Sequence, residues 1–480
     1  MKLKQILLEI TKEEAAIDFL QTIIKDSPFK NRVFLAGGAV RDLEMGKSPK
    51  DLDVVVKGDI NSGIDFATWM SKKLGNYKPG SSPVIFPTYG TAKFTLQGVT
   101  HNGIDLSDID IEAVATRKEK YSDGSRKPEV SAGDLSDDVN RRDFTVNSLL
   151  KDLTTGEILD LTGKGRDDIR KGIVQTPLNP DIIFTEDPLR ILRAARFAIK
   201  YDWDLPLFMV RAMKRNSSKL KNISFERIRD ELNKMLMTGS PHRAIKLLKI
   251  TGVLEYVVPE FKAAYKMTQN KYHTATVFQH TLDVLEKSPN RLIPRIGALF
   301  HDIGKTTTRT VVDNEVHFYT HEMVGANMTE KILRRLKYPS EIIDAVVLGV
   351  RNHMRLKSAG PEGDKISDKA LRKLSVDLGS HLSDILSIMD ADNRAHAPGH
   401  DMPNQINNII KRLDTLKDSI PVKGQKSPVT GEDLKNIGLK PGPLFSEIMG
   451  FVKERQLEFP NTTKEEYISL IKNYLTSKNV

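Results

Sequence analysis

Two carboxylates one residue apart, Asp51 and Asp53, run directly into the apolar stretch Val54-Val55-Val56. On a strand, side chains two apart point to the same face, so both acids would stand on one surface. Such a pair can hold two Mg²⁺ ions about 3.5–4 Å apart, as in-line phosphoryl or nucleotidyl transfer needs. Alone, a D-x-D pair reads better as a solvent-facing strand edge. Here it has company. Upstream, Leu35-Ala36-Gly37-Gly38-Ala39-Val40-Arg41-Asp42 places paired glycines after an apolar run and before a helix. Glycines let backbone N–H groups approach a phosphate, and the helix N-terminus adds a favourable dipole. Downstream, Asp110-Ile111-Glu112-Ala113-Val114-Ala115 supplies a further carboxylate about 60 residues on, as general base or shared metal ligand. The combination points to nucleotidyl transfer.

A second constellation lies in the C-terminal half. Nine of the eleven histidines fall between His273 and His400. They include His273, His280, the run His301-Asp302-Ile303-Gly304-Lys305, His321 and His353, followed by Asp392. Cysteine is absent, so disulfides and thiolate sites are excluded. Imidazoles and carboxylates together suit Mn, Fe, Ni, Zn or Mg.

The elements that must position these groups change along the chain. From about residue 31 to 150, short apolar runs such as Arg32-Val-Phe-Leu-Ala and Leu52-Asp-Val-Val-Val alternate with Gly-containing turns and helical stretches. After about Asp160 the pattern is helical. Asp187 and Pro188 form an N-cap and first helical residue for LRILRAARFAIK, and SFERIRDELNKML predicts a helix from Ser224 to Leu236. Residues 360–368 read as a polar loop and 423–431 as a connector. No internal repeat is present.

The 480 residues suggest about three domains. The formal charge is +10, and residues 201–275 hold 14 Lys/Arg against 7 Asp/Glu. A concentrated basic stretch fits a polyanionic partner, through counterion release. Lys and Glu interrupt every apolar run at the N-terminus, which excludes a signal peptide, and no stretch approaches the ~20 apolar residues of a membrane span. The expectation is a cytoplasmic protein with no membrane contact.

The motifs carry a resemblance. GGAVRD followed by KDLDVVV, PTYGTAKF (87–94), DDVNRRDFTVNSLL (137–150), GEILDLTGKGRDDIRKG (156–172), EDPLRILRAARFA (186–198) and TGEDLKNIGLKPGPLFSEIM (430–449) resemble class II tRNA nucleotidyltransferases and their bacterial poly(A) polymerase relatives. The resemblance implies that Asp51, Asp53 and Glu112 are the catalytic carboxylates, with Asp110 the alternative to Glu112. Mg²⁺ would sit on Asp51 and Asp53. Gly37, Gly38, Arg41, Arg142, Asp143, Asn147, Glu186, Asp187, Arg190 and Arg193 would bind nucleotide. The substrates implied are CTP, ATP and a tRNA 3′ end, and the product a C-C-A terminus. A poly(A) polymerase, or an enzyme adding only A or only CC, shares the same motifs. No Arg-rich extension follows D-x-D, which favours CCA addition.

EDPLR has a chemistry that suits this choice. Cytosine and adenine each carry an exocyclic amine beside a ring-nitrogen acceptor, where uracil and guanine carry a carbonyl. A carboxylate accepts from the amine and a guanidinium donates to the ring. Asp187 and Arg190 are three apart on a helix, so one face could read either edge.

HDIGK, the H-x₆-H spacing and MDADNRA (389–395) resemble the HD phosphohydrolase superfamily. The resemblance implies a divalent metal on His280, His301, Asp302 and Asp392, with His321 and His353 as further ligands or phosphate contacts. Lys305 would touch phosphate, and His273 belongs either to the site or to the surface. His317, His381, His396 and His400 read as surface or loop histidines. Phosphatase and 2′,3′-cyclic phosphodiesterase activity would trim damaged 3′ ends before addition. The alternative of another class is an HD hydrolase whose head only binds RNA. The expected fold is α+β: a nucleotidyltransferase head with a mixed sheet (1–155), then an all-helical neck and body (156–270), HD domain (271–405) and tail (406–480).

Overall fold

The computed structural model describes residues 10–76, 78, 82–120, 129–269, 275–421 and 427–477. His273 and residues 423–426 of the expected connector lie outside them. The chain forms two compact units, Met1–Glu231 with Leu247–Tyr256, and Leu232–Lys246 with Val257–Val480.

In the first unit, β1 (Val33–Ala36), β2 (Leu52–Val56), β3 (Val84–Phe86), β4 (Thr91–Thr95), β5 (Asp110–Ala115), β6 (Leu150–Asp152) and β7 (Ile158–Leu159) build a seven-stranded sheet. Its order is β7-β6-β1-β2-β5-β4-β3. The β2–β5 pair is parallel and its flanking pairs are antiparallel, so the sheet is mixed. Strand alternation divides the side chains. Leu52, Val54 and Val56 pack in one core with residues of α1 (Lys12–Ile24), α2 (Gly38–Glu44) and α3 (Ser62–Lys73). Val55 turns to the opposite face, where Phe34, Ala36, Val139 and Leu150 cluster. Asp53 shares that second face by register and is the one exposed residue of β2. Each fully buried valine contributes about 1.5–3 kcal/mol, so the three valines can hold a strand that carries an acid in its first half.

Helices follow: α4 (Leu135–Asn140), α5 (Gly165–Lys171), α6 (Pro180–Glu186), α7 (Leu189–Tyr201), α8 (Leu207–Asn216), α9 (Phe225–Leu236), α10 (Pro241–Ile250) and α11 (Leu254–Val257). Helix α7 starts one residue later than the sequence predicts, so Pro188 rather than Asp187 takes the N-cap position, and the Asp187 side chain accepts from Leu189 N–H at 3.1 Å.

The second unit packs α12 (Val277–Lys287), α13 (Leu292–Phe300), α14 (Lys305–Thr308), α15 (His321–Arg335), α16 (Ser340–Asn352), α17 (Asp368–Leu378), α18 (Leu382–Arg394) and α19 (Gln405–Leu416). One hairpin interrupts the expected run of helices: β8 (Arg309–Val312) pairs antiparallel with β9 (Glu315–Phe318). Its turn residues Asp313 and Asn314 have φ of 49° and 62°, the two positive values a two-residue hairpin turn demands. The C-terminal helices α20 (Gly431–Asn436), α21 (Pro443–Glu458) and α22 (Lys464–Ser477) close on a core of their own around Ile448, Tyr467 and Ile471. No helix among the described residues is long and apolar enough to cross a membrane.

Candidate active sites

The parallel register of β2 and β5 makes Asp53 and Glu112 direct partners across the pair. Asp51 immediately precedes the strand, near enough for its charge to act on Asp53. Solvent reaches the Asp53 side chain, but the surrounding protein partly desolvates its carboxyl. Its carboxyl is pushed up to about 6 by that burial and by Glu112 and Asp51, with Arg142 acting against them. Asp110 behaves differently. Its carboxylate accepts from Lys93 Nζ at 2.7 Å and from Thr95 Oγ1 at 2.6 Å, which hold it below the usual range. Glu112 therefore faces Asp53, whereas Asp110 is neutralised locally.

Gly37 has φ of +68°, and an added Cβ would lie 3.1 Å from Arg142 Nη1. The glycine thus lets the backbone turn tightly and leaves room for the guanidinium. Arg142 Nη2 and Arg141 Nε both donate to the fully buried Asp138, at 2.8 and 3.0 Å. Arg41 is buried at the start of the same region: Nη1 donates to Asn147 Oδ1 at 2.5 Å and Nε to Asp42 at 2.9 Å. Asn147 Nδ2 in turn donates to Asp143 Oδ1 at 2.8 Å, and Arg193 Nε to Asp143 Oδ2 at 2.8 Å. Burial by itself would raise the Asp143 carboxyl, but Arg193, the Asn147 amide and Arg190 outweigh it and hold it low. Gly37, Arg41, Arg142, Asp143, Asn147 and Arg193 are one connected network.

Asp187 and Arg190 do not pair with each other. Arg190 is 8 % exposed, with Nη2 donating to Arg141 O at 2.6 Å and Nη1 to Glu186 Oε2 at 3.1 Å. Asp187 Oδ2 accepts from Arg227 Nη2 at 3.0 Å. Arg190 thereby ties α7 to the Arg141-Arg142-Asp143 segment.

In the second unit, seven groups converge from five places in the chain. His280 stands on α12, His301 and Asp302 follow α13, Lys305 opens α14, His321 opens α15, His353 ends α16 and Asp392 lies on α18. Gly304 permits the convergence, since an added Cβ would strike His321 O at 2.1 Å and Gly325 N at 2.6 Å. His280 Nε2 lies 3.0 Å from Asp392 Oδ1 and 3.8 Å from Asp302 Oδ2, and His301 Nε2 lies 3.3 Å from Asp302 Oδ2. The other oxygen, Asp302 Oδ1, is 3.4 Å from His321 Nε2 and 3.7 Å from His353 Nε2. Asp302 belongs to two buried ligand triads at once.

Orientation supports a metal fit. The Nδ1 atoms of His301, His321 and His353 contact the carbonyls of Ala298, Phe318 and Val350 at 2.8, 2.8 and 2.7 Å. With Nδ1–H donating outward, each Nε2 lone pair points inward. These three Nε2 atoms are buried and have no hydrogen-bond partner among the described residues, a cost that a cation would remove. Burial favours neutral His280, His321 and His396, the ligating form. At His301, burial acts the same way, but Asp302 and Asp392 outweigh it and raise its pKa. The carboxyls of Asp302 and Asp392 sit well below the usual range: burial opposes this, and Lys305 and Lys357 respectively lead the opposing charges. A cavity of about 450 Å³ opens onto this cluster.

Three family models match parts of the chain: a poly A polymerase head domain over residues 33–175, a probable RNA and SrmB-binding site of polymerase A over 209–265, and an HD domain over 271–414. A multifunctional CCA protein of Herminiimonas arsenicoxydans is 32% identical over 67% of this chain and 73% of its own. The chain belongs to the CCA-adding tRNA nucleotidyltransferase family. A Schizosaccharomyces pombe tRNA nucleotidyltransferase is 27% identical over 92% of both chains. The CCA-adding enzyme of Bacillus stearothermophilus, solved with CTP, matches at a TM-score of 0.64 and 20% identity, covering 98% of this chain and 99% of that one. At that identity the likeness shows a shared fold.

Membership of the tRNA nucleotidyltransferase family makes the chain an enzyme. Several residues at its two sites were not singled out in the sequence. Asp138 clamps Arg141 and Arg142, and its signal was present in the i, i+3 and i, i+4 spacing of DDVNRR. Arg227, forty residues from Asp187, left no local signal. Three of the four histidines read as surface or loop residues, His317, His396 and His400, line the cavity beside Asp302 and Asp392. His381 does not. Lys357 also lines it, with Nζ 2.8 Å from Asp392 Oδ2. Long loops and turns bring these groups in, and periodicity carries no trace of that.

Proposed function

We propose that the first unit adds C, C and A to tRNA 3′ ends from CTP and ATP by two-metal nucleotidyl transfer, and that the second unit hydrolyses phosphate esters, including 2′,3′-cyclic phosphates, at damaged 3′ ends. The observation that carries the transferase reading is the in-register pair Asp53–Glu112, with the Asp53 carboxyl raised to about 6 beside Asp51. Acids crowded in this way are relieved by a divalent cation. Asp51 and Asp53 would hold Mg²⁺, and Glu112 would share it or accept a proton from the attacking 3′-hydroxyl. Arg142, Asp143 and Asn147 would orient the ribose and phosphates, and Gly37 and Gly38 let the backbone approach them.

Asp187 and Arg190 would read the base edge, with Glu186 and Arg193 setting their positions. The Arg227–Asp187 contact must open, or shift, before a base amine reaches the Asp187 carboxylate. Recognition of tRNA would use backbone and shape, because every tRNA must be accepted.

At the second site, His280, His301, Asp392 and Asp302 Oδ2 would hold one ion, and Asp302 Oδ1, His321 and His353 another. Ni, Mn, Fe, Zn and Mg all suit these donors. Divalent ions at either site supply positive charge that stabilises phosphoryl oxygens and acidifies the attacking group. Incubating the protein with tRNA lacking its terminal CCA and each NTP singly tests the transferase reading. C then A incorporation, stopping after three residues, is expected; unlimited A addition would make the enzyme a poly(A) polymerase.

A further inference from the structure

Three residues stand in one row across three strands of the head sheet. Lys93 on β4 is the direct partner of Glu112 on β5, and Glu112 that of Asp53 on β2. Directly opposed residues point to the same face, and the alternation along each strand agrees. Ala92 and Phe94, Ile111 and Ala113, and Leu52 and Val54 all lie in the core on one side of the sheet. Lys93, Glu112 and Asp53 are exposed on the other. Lys93 Nζ lies 2.7 Å from Asp110 Oδ2. Asp110 leads in raising the Lys93 pKa, and Glu112 and Asp51 add to it, so the ammonium stands in the field of the whole acidic group. Its pair with Asp110 is half-exposed, and such pairs contribute little to stability.

The row gives the carboxylates two flanks. On the β1 flank are Gly37, Gly38 and Arg142, groups suited to a triphosphate: Gly37 follows β1 directly, β1 borders β2, and the Arg142 charge acts on Asp53. On the β4 flank stands Lys93. In-line transfer brings the attacking hydroxyl in opposite the leaving pyrophosphate. With the triphosphate on the β1 flank, the RNA 3′-hydroxyl arrives from the β4 flank. The phosphate nearest that hydroxyl is the one joining its own nucleotide to the preceding one. Neighbouring strands are about 4.8 Å apart, and the flexible four-carbon stem of lysine carries its ammonium beyond that spacing.

We propose that Lys93 leaves Asp110 to bind the last internucleotide phosphate of the RNA 3′ end, seating the attacking hydroxyl beside Glu112. The proposal rests on the transferase reading of the first unit and adds an RNA-binding residue to it. Equilibrium binding of the full chain to tRNA lacking its terminal CCA, with no nucleotide present, tests it between about 50 and 200 mM salt. Lys93→Met, which keeps the apolar stem, should weaken binding about fivefold. It should also reduce the slope of log K against log salt by about 0.7, the share of one phosphate contact on a single strand. Lys93→Arg should restore both. Because Lys93→Met also bares Asp110, the double variant Lys93→Met, Asp110→Asn is measured beside it and should still lose both. A tRNA whose last internucleotide phosphate is a neutral methylphosphonate locates the contact. The wild type should bind it about fivefold more weakly and Lys93→Met should lose nothing further, since the two changes remove one interaction. Losses that add, an unchanged salt slope, or recovery in the double variant would overturn the proposal. In steady-state incorporation the KM for tRNA should rise in Lys93→Met and that for CTP stay constant. A rise in the KM for CTP alone would place Lys93 on the triphosphate and overturn it equally. A wild type that binds tRNA through Lys93 yet incorporates no nucleotide sinks the transferase reading and leaves the contact.

Discussion

Asp53 and Glu112 oppose each other across the parallel strand pair of the head sheet, and the Asp53 carboxyl is raised to about 6. A carboxyl raised above its unfolded value binds more protons in the native state than in the unfolded chain between about pH 4 and 6. The Asp53 contribution to the stability of the metal-free protein should therefore grow as pH falls from 7 through about 6.

Asp53→Asn removes that opposition between charge and burial. The metal-free variant should melt at a higher temperature than wild type at pH 7, with the gap closing towards pH 5. Nucleotide incorporation should fall about a thousandfold, since several kcal/mol of charge stabilisation are lost at about 1.4 kcal/mol per tenfold. Thermal melts and single-turnover incorporation measure both arms; a variant less stable than wild type at pH 7 would refute the electrostatic account.

Asp143 and Asp138 have the opposite sign. Both are held low by arginines despite burial, so their contribution is fully present above about pH 4 and is lost as pH falls through their lowered folded values. Asp143→Asn should cost about 3 kcal/mol or less, because Arg193 is left with an uncompensated charge but keeps 33 % of its side chain exposed. Urea unfolding from pH 6 to pH 3 should show a shallower acid limb in the variant than in wild type.

Base choice should depend on Asp187. Its replacement by alanine removes the acceptor that a uracil or guanine carbonyl cannot satisfy, so U and G misincorporation should rise by about a hundredfold relative to C and A. Arg227→Ala frees the Asp187 carboxylate and should lower the KM for CTP without altering that ratio. Primer extension with each NTP separates the two effects.

Metal content should follow the two triads that share Asp302. Wild type, saturated with Mn²⁺ and desalted, should retain two ions in the second unit, and a His321→Ala, His353→Ala double variant one. Chelation should lower the melting temperature of wild type, since a ligand at 100 times its Kd adds about 2.7 kcal/mol. Equal metal content in the two proteins would exclude His321 and His353 as ligands.

Local pattern was enough to indicate much of this protein. D-x-D before three valines predicts a strand, and one forms with Asp53 on it and Asp51 just ahead of it, because alternation of apolar and polar side chains is set within the strand itself. EDPLR, RRDFT and HDIGK are likewise short stretches whose spacing is set by one helix or one turn, and together they placed the chain in its family and its fold class. Tertiary structure alone decided the matters that hang on distant residues. Glu112 and Asp110 are equivalent in sequence, and only the neighbouring strand, through Lys93 and Thr95, neutralises one of them. The Asp187 carboxylate waits on Arg227, and Arg190 is buried against a carbonyl 49 residues away. His317, His396 and Lys357 became cavity residues through a hairpin and two helix ends. Contacts across such separations are paid for by the packing of whole units, and no window of the sequence records which distant side chain arrives.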